Sequence, residues 1–140
     1  MGLITYCLIG FNLMYPGDGW IINGWMGGFS LTGLEPAGVG ADGVDLTYAS
    51  VGSDFFFQLM FCAATASIVS GTVAERVKLW PFLIFTIVLT GIFYPISASW
   101  QWGGGWLSEA GFSDFAGSTV VHATGAAAAL AGAMVIGARH

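Results

Sequence analysis

The chain has few charged residues and few of the residues that build catalytic or metal sites in soluble proteins. Only 8% of its 140 residues are charged, whereas an ordinary soluble domain has about 25%. Its two cysteines, Cys7 and Cys62, lie in apolar runs and define no disulfide framework. The sequence also contains no phosphate loop, paired-cysteine metal motif or basic nucleic-acid patch. We therefore expect no cofactor and no nucleic-acid partner, and a soluble enzyme is disfavoured.

Long hydrophobic runs make up most of the sequence, which is 56% hydrophobic with a mean hydropathy of +0.78. A helix needs about 20 apolar residues to cross roughly 30 Å of hydrocarbon, and residues 55–73, 79–100 and 115–138 meet that length. A partial helix is predicted over residues 1–15, because the 14 apolar residues from Gly2 to Tyr15 would extend only about 21 Å. A signal peptide is the alternative there, although no basic segment precedes the run. The predicted fold is an all-α, polytopic membrane helical bundle with three complete transmembrane helices and one partial helix.

The few charges lie between these runs and agree on one orientation. The basic residues all fall on one side, which the positive-inside rule makes cytoplasmic: Arg76, Lys78 and Arg139. The acidic residues other than Glu75 then fall on the outer side. They lie in or next to a loop over 16–54 that is rich in turn formers and a Gly/Trp-rich loop over 101–114. We expect a multi-pass integral protein of the plasma or inner membrane, in contact with the lipid bilayer.

His122 is an ionisable residue inside the third apolar run. If a helix begins at residue 115, His122 lies about 12 Å below its outer end, where an unpaired ionisable group is costly in lipid. Phe61 lies at a similar depth, about 10 Å, in the helix that follows Asp54, and Phe57 lies one turn above it. A pore lining is one interpretation of these residues. The alternative is packing, with the histidine hydrogen-bonded to a neighbouring helix.

Three glycines interrupt the segment between Trp100 and Trp106, so we expect a loop that folds back over the outer mouth. An aromatic ring in this loop could attract a small cation, but for any single tryptophan interface anchoring is the favoured interpretation. Asp114 is expected to accept hydrogen bonds from the first turn of the third helix. Its charge would also favour cations at the mouth.

Three motifs together resemble the ammonium transporter (Amt/MEP/Rh) family. They are Gly71–Arg76 (GTVAER) after the helix with Phe57 and Phe61, then Trp102–Leu107 (WGGGWL), then Asp114–His122 (DFAGSTVVH). The resemblance covers residues 55–139, and Tyr6–Tyr15 is similar to the end of the family's second helix. It implies a partial chain with helices two, in part, to five.

The resemblance also implies roles for single residues. Trp102 and Phe61 would form part of the outer cation site, Phe57 and Phe61 would line or gate the entrance, and Asp114 would support the site. His122 would be the first of two pore histidines. His140 is no substitute for the second one, because it lies 18 residues further along the chain, near the cytoplasmic face. A homotrimer and a PII-type regulator that binds a cytoplasmic tail are the implied partners, with ammonium or ammonia as substrate.

Other functions remain open at this point. An ammonium sensor built on the same membrane domain, and a neutral gas channel of the Rh type, are compatible with the same residues. An intramembrane enzyme with His122 as base would need a nucleophile such as Ser118 or Ser67, and no nucleophile motif accompanies either serine. We expect a transporter rather than an enzyme.

Overall fold

The computed structural model describes residues 1–31 and 51–138, so much of the predicted 16–54 loop, together with Arg139 and His140, lies outside the described residues. Five helices occur in the described part. They are α1 (Gly2–Met14), α2 (Val51–Val73), α3 (Leu79–Ser99), the short α4 (Trp106–Glu109) and α5 (Val120–Ile136). Two of these helices, over Gly52–Val73 and Leu79–Ser99, are long and apolar enough to cross a membrane.

The third predicted span differs from the observed helix. We expected a helix over 115–138, but α5 begins at Val120 and has 17 residues, so it extends about 26 Å. The delay has a local cause. Gly117 has a φ of +74°, which interrupts right-handed helical geometry, and the carboxylate of Asp114 binds the backbone N–H groups of residues 118 to 120.

A small β-hairpin departs from the predicted all-α fold. Strands β1 (Trp20–Ile22) and β2 (Met26–Gly27) pair antiparallel inside the predicted outer loop. Asn23 and Gly24 lie in the turn, and Gly24 has a φ of +72°. The Trp25 N–H donates to the Ile22 carbonyl oxygen at 2.9 Å, and this turn needs a positive φ at its second central residue, which glycine adopts at no steric cost.

The helices that carry the candidate residues, α2 and α5, pack directly against each other. Gly125 lies at the contact, where a Cβ would be 3.0 Å from Cδ1 of Ile68 and 3.1 Å from the Thr65 carbonyl oxygen. Small residues permit this close approach, which supplies the packing contacts that hold helices together in lipid. The backbones of α2 and α5 therefore lie close together at Gly125.

The N-terminal helix packs against the two longest helices, α2 and α3. Residues of α1, α2 and α3 form one buried cluster, which includes Tyr6, Phe11, Leu59, Cys62 and Tyr94. Helices α1 and α3 each contain a π-helical turn, and the hydroxyl groups of Thr5 and Thr90 lie 3.1 Å apart between them. This arrangement attaches α1 to both longer helices.

Contacts at the two ends of α2 and α3 complete the fold. At the predicted inner end, the Arg76 guanidinium donates to the carbonyl groups of Thr72 and Gly137, which lie near the C-terminal ends of α2 and α5. At the predicted outer end, α3 ends at Ser99, and the glycine-rich segment turns into α4. An open apolar groove of about 790 Å³ lies between α3 and α5.

Candidate functional site

Three aromatic rings lie in contact at the N-terminal half of α2. Phe57 and Phe61 are one turn apart on α2, with ring centroids 4.6 Å apart and planes at 65°. The Phe61 ring stacks on Trp102, with centroids 5.7 Å apart and planes at 16°. Phe57 remains 54% exposed, while Trp102 and Phe61 are partly buried. The three predicted aromatic residues thus form one cluster with accessible ring surface.

The Trp102 ring is held by a hydrogen bond from its only polar group. Its indole Nε1 donates to the carbonyl oxygen of Asp114 at 2.8 Å. The indole N–H is therefore already used, and the rest of the ring offers only its π surface. A π surface attracts cations through the ring quadrupole, which suits a small ion that is itself only a hydrogen-bond donor.

Asp114 organises the start of α5, as expected. Its Oδ1 accepts from the Ser118 N–H at 3.1 Å, and its Oδ2 accepts from the N–H groups of Thr119 and Val120 at 2.8 and 2.7 Å. The residue is only 7% exposed. Burial alone would raise the pKa of the carboxyl group, but the backbone hydrogen bonds outweigh it and lower the pKa from its ordinary value. Asp114 therefore carries a negative charge near the aromatic cluster.

His122 joins this group through Gly117. The His122 Nδ1 lies 3.2 Å from the Gly117 carbonyl oxygen, and the side chain is exposed. A carbonyl oxygen only accepts, so Nδ1 carries the hydrogen in this bond. In the neutral imidazole, Nε2 then has a lone pair that can accept a hydrogen bond or a proton.

The depth that we derived for His122 from residue spacing was wrong, because residues 115–119 are not helical and His122 is the third residue of α5. The position of His122 along the helix axes, relative to Phe61, can instead be inferred from the hydrogen bonds of Thr65. The Thr65 hydroxyl lies 3.1 Å from the Phe61 carbonyl oxygen and 3.3 Å from the Val121 carbonyl oxygen. The backbone beside His122 is thus at nearly the same level as that of Phe61.

Two residues of this arrangement were not singled out from the sequence. Thr65 is fully buried and joins the backbones of α2 and α5. Gly117 supplies the carbonyl that orients His122, and a Cβ on it would lie 3.2 Å from Cη2 of Trp102. The four-residue spacing of Phe61 and Thr65 could have indicated a shared helix face. Nothing in the spacing indicated the position of Gly117.

Three other tryptophans, Trp25, Trp100 and Trp106, form a separate cluster. Trp25 stacks on Trp106, with centroids 4.8 Å apart, and Trp100 packs against both rings. Trp100 Nε1 also donates to the Trp25 carbonyl oxygen at 2.8 Å. These contacts attach the β-hairpin to the turn that follows α3, so the loop around Trp102 is held from its other side.

Comparison with known proteins places the chain in a family. The model of the Ammonium Transporter Family matches residues 1–140. A Synechocystis sp. relative is 43% identical over 99% of this chain and 30% of its own length. The ammonium transporter Amt2 of Archaeoglobus fulgidus is 39% identical over 99% of this chain and 29% of its own length. The ammonium transporter of Bacillus subtilis is 38% identical over 97% of this chain and 32% of its own length.

The chain thus spans about 30% of the length of these curated relatives. The similarity nevertheless extends along nearly the whole chain, from the N-terminal helix through the aromatic cluster to α5. This family is embedded in membranes, in agreement with the two candidate spans. The chain therefore belongs to the ammonium transporter family.

Proposed function

We propose that the protein containing this chain transports ammonium or ammonia across a membrane, with cation recruitment at the cluster of Phe57, Phe61 and Trp102. The observations that carry this proposal are the series of contacts from Phe57 to Asp114 and the bond between His122 and Gly117, three residues after Asp114. The rings of Phe57, Phe61 and Trp102 touch in series, Trp102 binds the backbone of Asp114, and Gly117 binds His122. The chain spans part of the relatives' length, so the activity of the whole protein is inferred.

The chemistry of the substrate explains why such a path is useful. Moving an ammonium ion from water into a low-dielectric interior costs tens of kcal/mol unless ligands replace its hydration shell. A transporter must therefore supply ligands throughout or separate the proton from ammonia. An aromatic face at the entrance contributes about 0.5–2 kcal/mol of attraction, which concentrates the cation without a covalent or metal site.

His122 would act after recruitment. Its neutral imidazole presents the Nε2 lone pair, which can accept a hydrogen bond from ammonia or hold a proton released from ammonium. Phe57 and Phe61 would exclude bulk water above it. Asp114 would favour cations through its field, because its oxygens are already bonded to backbone N–H groups.

Further helices are needed to enclose this path. His122 and the Phe57 ring are exposed in the described part of the chain, and an ionisable group in lipid requires protein or water around it. We infer that other segments of the complete protein complete a polytopic bundle and contribute a second pore histidine. A homotrimer in the plasma or inner membrane, regulated by a PII-type protein, is part of the same proposal.

The decisive experiment is methylammonium uptake by the complete reading frame in cells that lack ammonium transport. His122→Ala and Trp102→Leu are compared with Trp80→Leu, which removes a ring that is 71% exposed at the predicted inner end. We expect Trp102→Leu to raise the KM and His122→Ala to lower or alter uptake. Trp80→Leu should leave both parameters near those of the unmodified protein.

Each result separates the alternatives. If His122→Ala and Trp102→Leu variants insert into the membrane and take up methylammonium unchanged, His122 and Trp102 serve only packing and interface anchoring. No uptake by the unmodified complete protein, combined with measurable ammonium binding, would favour a sensor. Uptake that follows the concentration of neutral ammonia and ignores Trp102→Leu would favour a gas channel of the Rh type.

A further inference from the structure

We propose that Gln58 is a positioning residue for the aromatic cluster, acting through its hydrogen bond to Tyr15. This inference rests on the proposed recruitment role of Phe57, Phe61 and Trp102. Gln58 is not among the residues proposed to contact the substrate. It lies between Phe57 and Phe61 in the sequence of α2, but its side chain is buried against the N-terminal helix, whereas Phe57 is exposed.

The first observation is a directional bond between two helices. The Gln58 Nε2 donates to the Tyr15 hydroxyl oxygen at 3.0 Å, in a buried setting, and Gln58 is only 6% exposed. Tyr15 directly follows the last residue of α1, just before Pro16. The bond therefore joins the end of α1 to the turn of α2 that carries the two phenylalanines.

The second observation is that the ring of Tyr15, the acceptor, packs in a series of edge-on aromatic contacts. The Tyr15 ring packs edge-on against Phe11 at 5.3 Å, and Phe11 packs edge-on against Phe55 of α2 at 4.9 Å. The contacts thus form a closed circuit from α2 through Phe55, Phe11 and Tyr15 back to Gln58 on α2. Aromatic contacts alone allow the two helices to shift relative to each other at little cost. The hydrogen bond from Gln58 to Tyr15 depends on the donor–acceptor angle, so it restricts the rotation of α2.

The third observation concerns the other polar atom of Gln58. Its Oε1 is buried and, within the described residues, has no hydrogen-bond partner. A buried, unpaired acceptor is destabilising, so an apolar residue of similar size should serve the core at least as well. A leucine, however, cannot make the directional bond to Tyr15. A role in orienting α2 therefore explains a glutamine at this position better than a contribution to the free energy of unfolding does.

The consequence is a rotational restraint on α2. Gln58 and Phe61 are three residues apart, so a small rotation of α2 moves the Phe61 ring relative to Trp102. The stack between these rings, at 5.7 Å and 16°, depends on that rotation. Loss of the bond should therefore weaken cation recruitment without removing any ring.

The test is a double-mutant cycle in the complete reading frame, with Gln58→Leu, Tyr15→Phe and the double variant. Methylammonium uptake yields the KM and Vmax, and thermal unfolding in detergent is measured on the same proteins. We expect Gln58→Leu and Tyr15→Phe each to raise the KM about three- to tenfold, with Vmax changed less than about twofold. The double variant should be no worse than the single ones, because both remove the same bond.

Two control variants are measured alongside, one outside the proposed path and one within it. Ser70→Ala removes a local hydroxyl bond to the Ser67 carbonyl, nearer the inner end of α2, and should leave the KM unchanged. Trp102→Leu tests the proposed recruitment site independently. If Trp102→Leu raises the KM and neither Gln58→Leu nor Tyr15→Phe does, the positioning role is wrong and the proposed function stands.

The remaining outcomes are equally decisive. A fall in melting temperature and Vmax with an unchanged KM would make the Gln58 bond purely structural and overturn the inference. Additive KM effects in the double variant would show that the two residues act separately, which also contradicts it. If Trp102→Leu leaves the KM unchanged, the recruitment site fails and the positioning role fails with it. If Gln58→Leu does not fold, Tyr15→Phe removes the same bond and decides alone.

Discussion

Replacing Gly117 by alanine tests whether one backbone position couples the Trp102 ring to His122. Gly117 has a φ of +74°, which costs an alanine about 1–2 kcal/mol relative to glycine. The new Cβ would lie 2.7 Å from Cγ2 of Val121 and 3.2 Å from Cη2 of Trp102. Relief of such overlap typically costs a further 1–3 kcal/mol, roughly. We therefore expect a total loss of about 2–5 kcal/mol in the free energy of unfolding.

Gly111→Ala is the matched control for this substitution. Gly111 also has a positive φ, +83°, but a Cβ there would have no atom within 4 Å. Its cost should be the backbone part alone, about 1–2 kcal/mol. The difference between the two variants then isolates the contacts with Val121 and Trp102.

The assay is thermal or chemical unfolding of both variants in detergent, together with methylammonium uptake by each. Gly117→Ala should be less stable than Gly111→Ala and should also raise the KM, because the Trp102 ring must move away from the new methyl group. Equal stability and equal KM in the two variants would refute the reasoning, since they would show that the close approach of Gly117 has no energetic consequence.

Three further predictions concern side chains that hold the helices. Asp114→Ala should cost about 2–4 kcal/mol through three lost backbone hydrogen bonds. The pKa of Asp114 is lower in the folded protein than its ordinary value of 3.8, so its stabilisation is complete above that value. The stabilisation is lost as the pH falls through the lower folded pKa. Melting temperatures of the unmodified protein and of Asp114→Ala, measured against pH, check this. Thr65→Val should cost about 1 kcal/mol in unfolding experiments, and an effect no larger than that of Ser70→Ala would contradict its bridging role. Arg76→Gln should lower the melting temperature more than Lys78→Gln, because Arg76 has described bonds to the carbonyl groups of Thr72 in α2 and of Gly137 directly after α5. Equal falls in melting temperature would show that only the loss of positive charge matters.

Much of the site was predictable because its parts follow from local rules. Phe57 and Phe61 share a helix face through their four-residue spacing, and their ring contact is observed. The carboxylate of Asp114 binds the start of a helix, as its position before an apolar run indicated. The contact between Phe61 and Trp102 joins residues 41 positions apart, so it was implied only by the family resemblance. The functional roles of these residues stay predictions.

Some local features were mispredicted although the sequence carried a signal for them. The Asn23-Gly24 pair indicated a hairpin, yet the segment was predicted only as a loop. The glycine at position 117 permitted a break before α5, yet hydrophobicity alone favoured a helix from residue 115. Hydropathy reports which residues avoid water, but it does not locate a helix end, because caps and positive φ decide that.

The sequence by itself determined the membrane character, the positions of the two candidate spans α2 and α3, and the family, because these depend on composition, length and motif order. Only the tertiary structure decided which side chains meet. The stack of Phe61 on Trp102, the bridge from Thr65 to Val121 and the bond from Gln58 to Tyr15 all join distant parts of the chain. Their geometry depends on how α1, α2 and α5 rotate and approach one another, which is set by packing at positions such as Gly125 and by no local pattern.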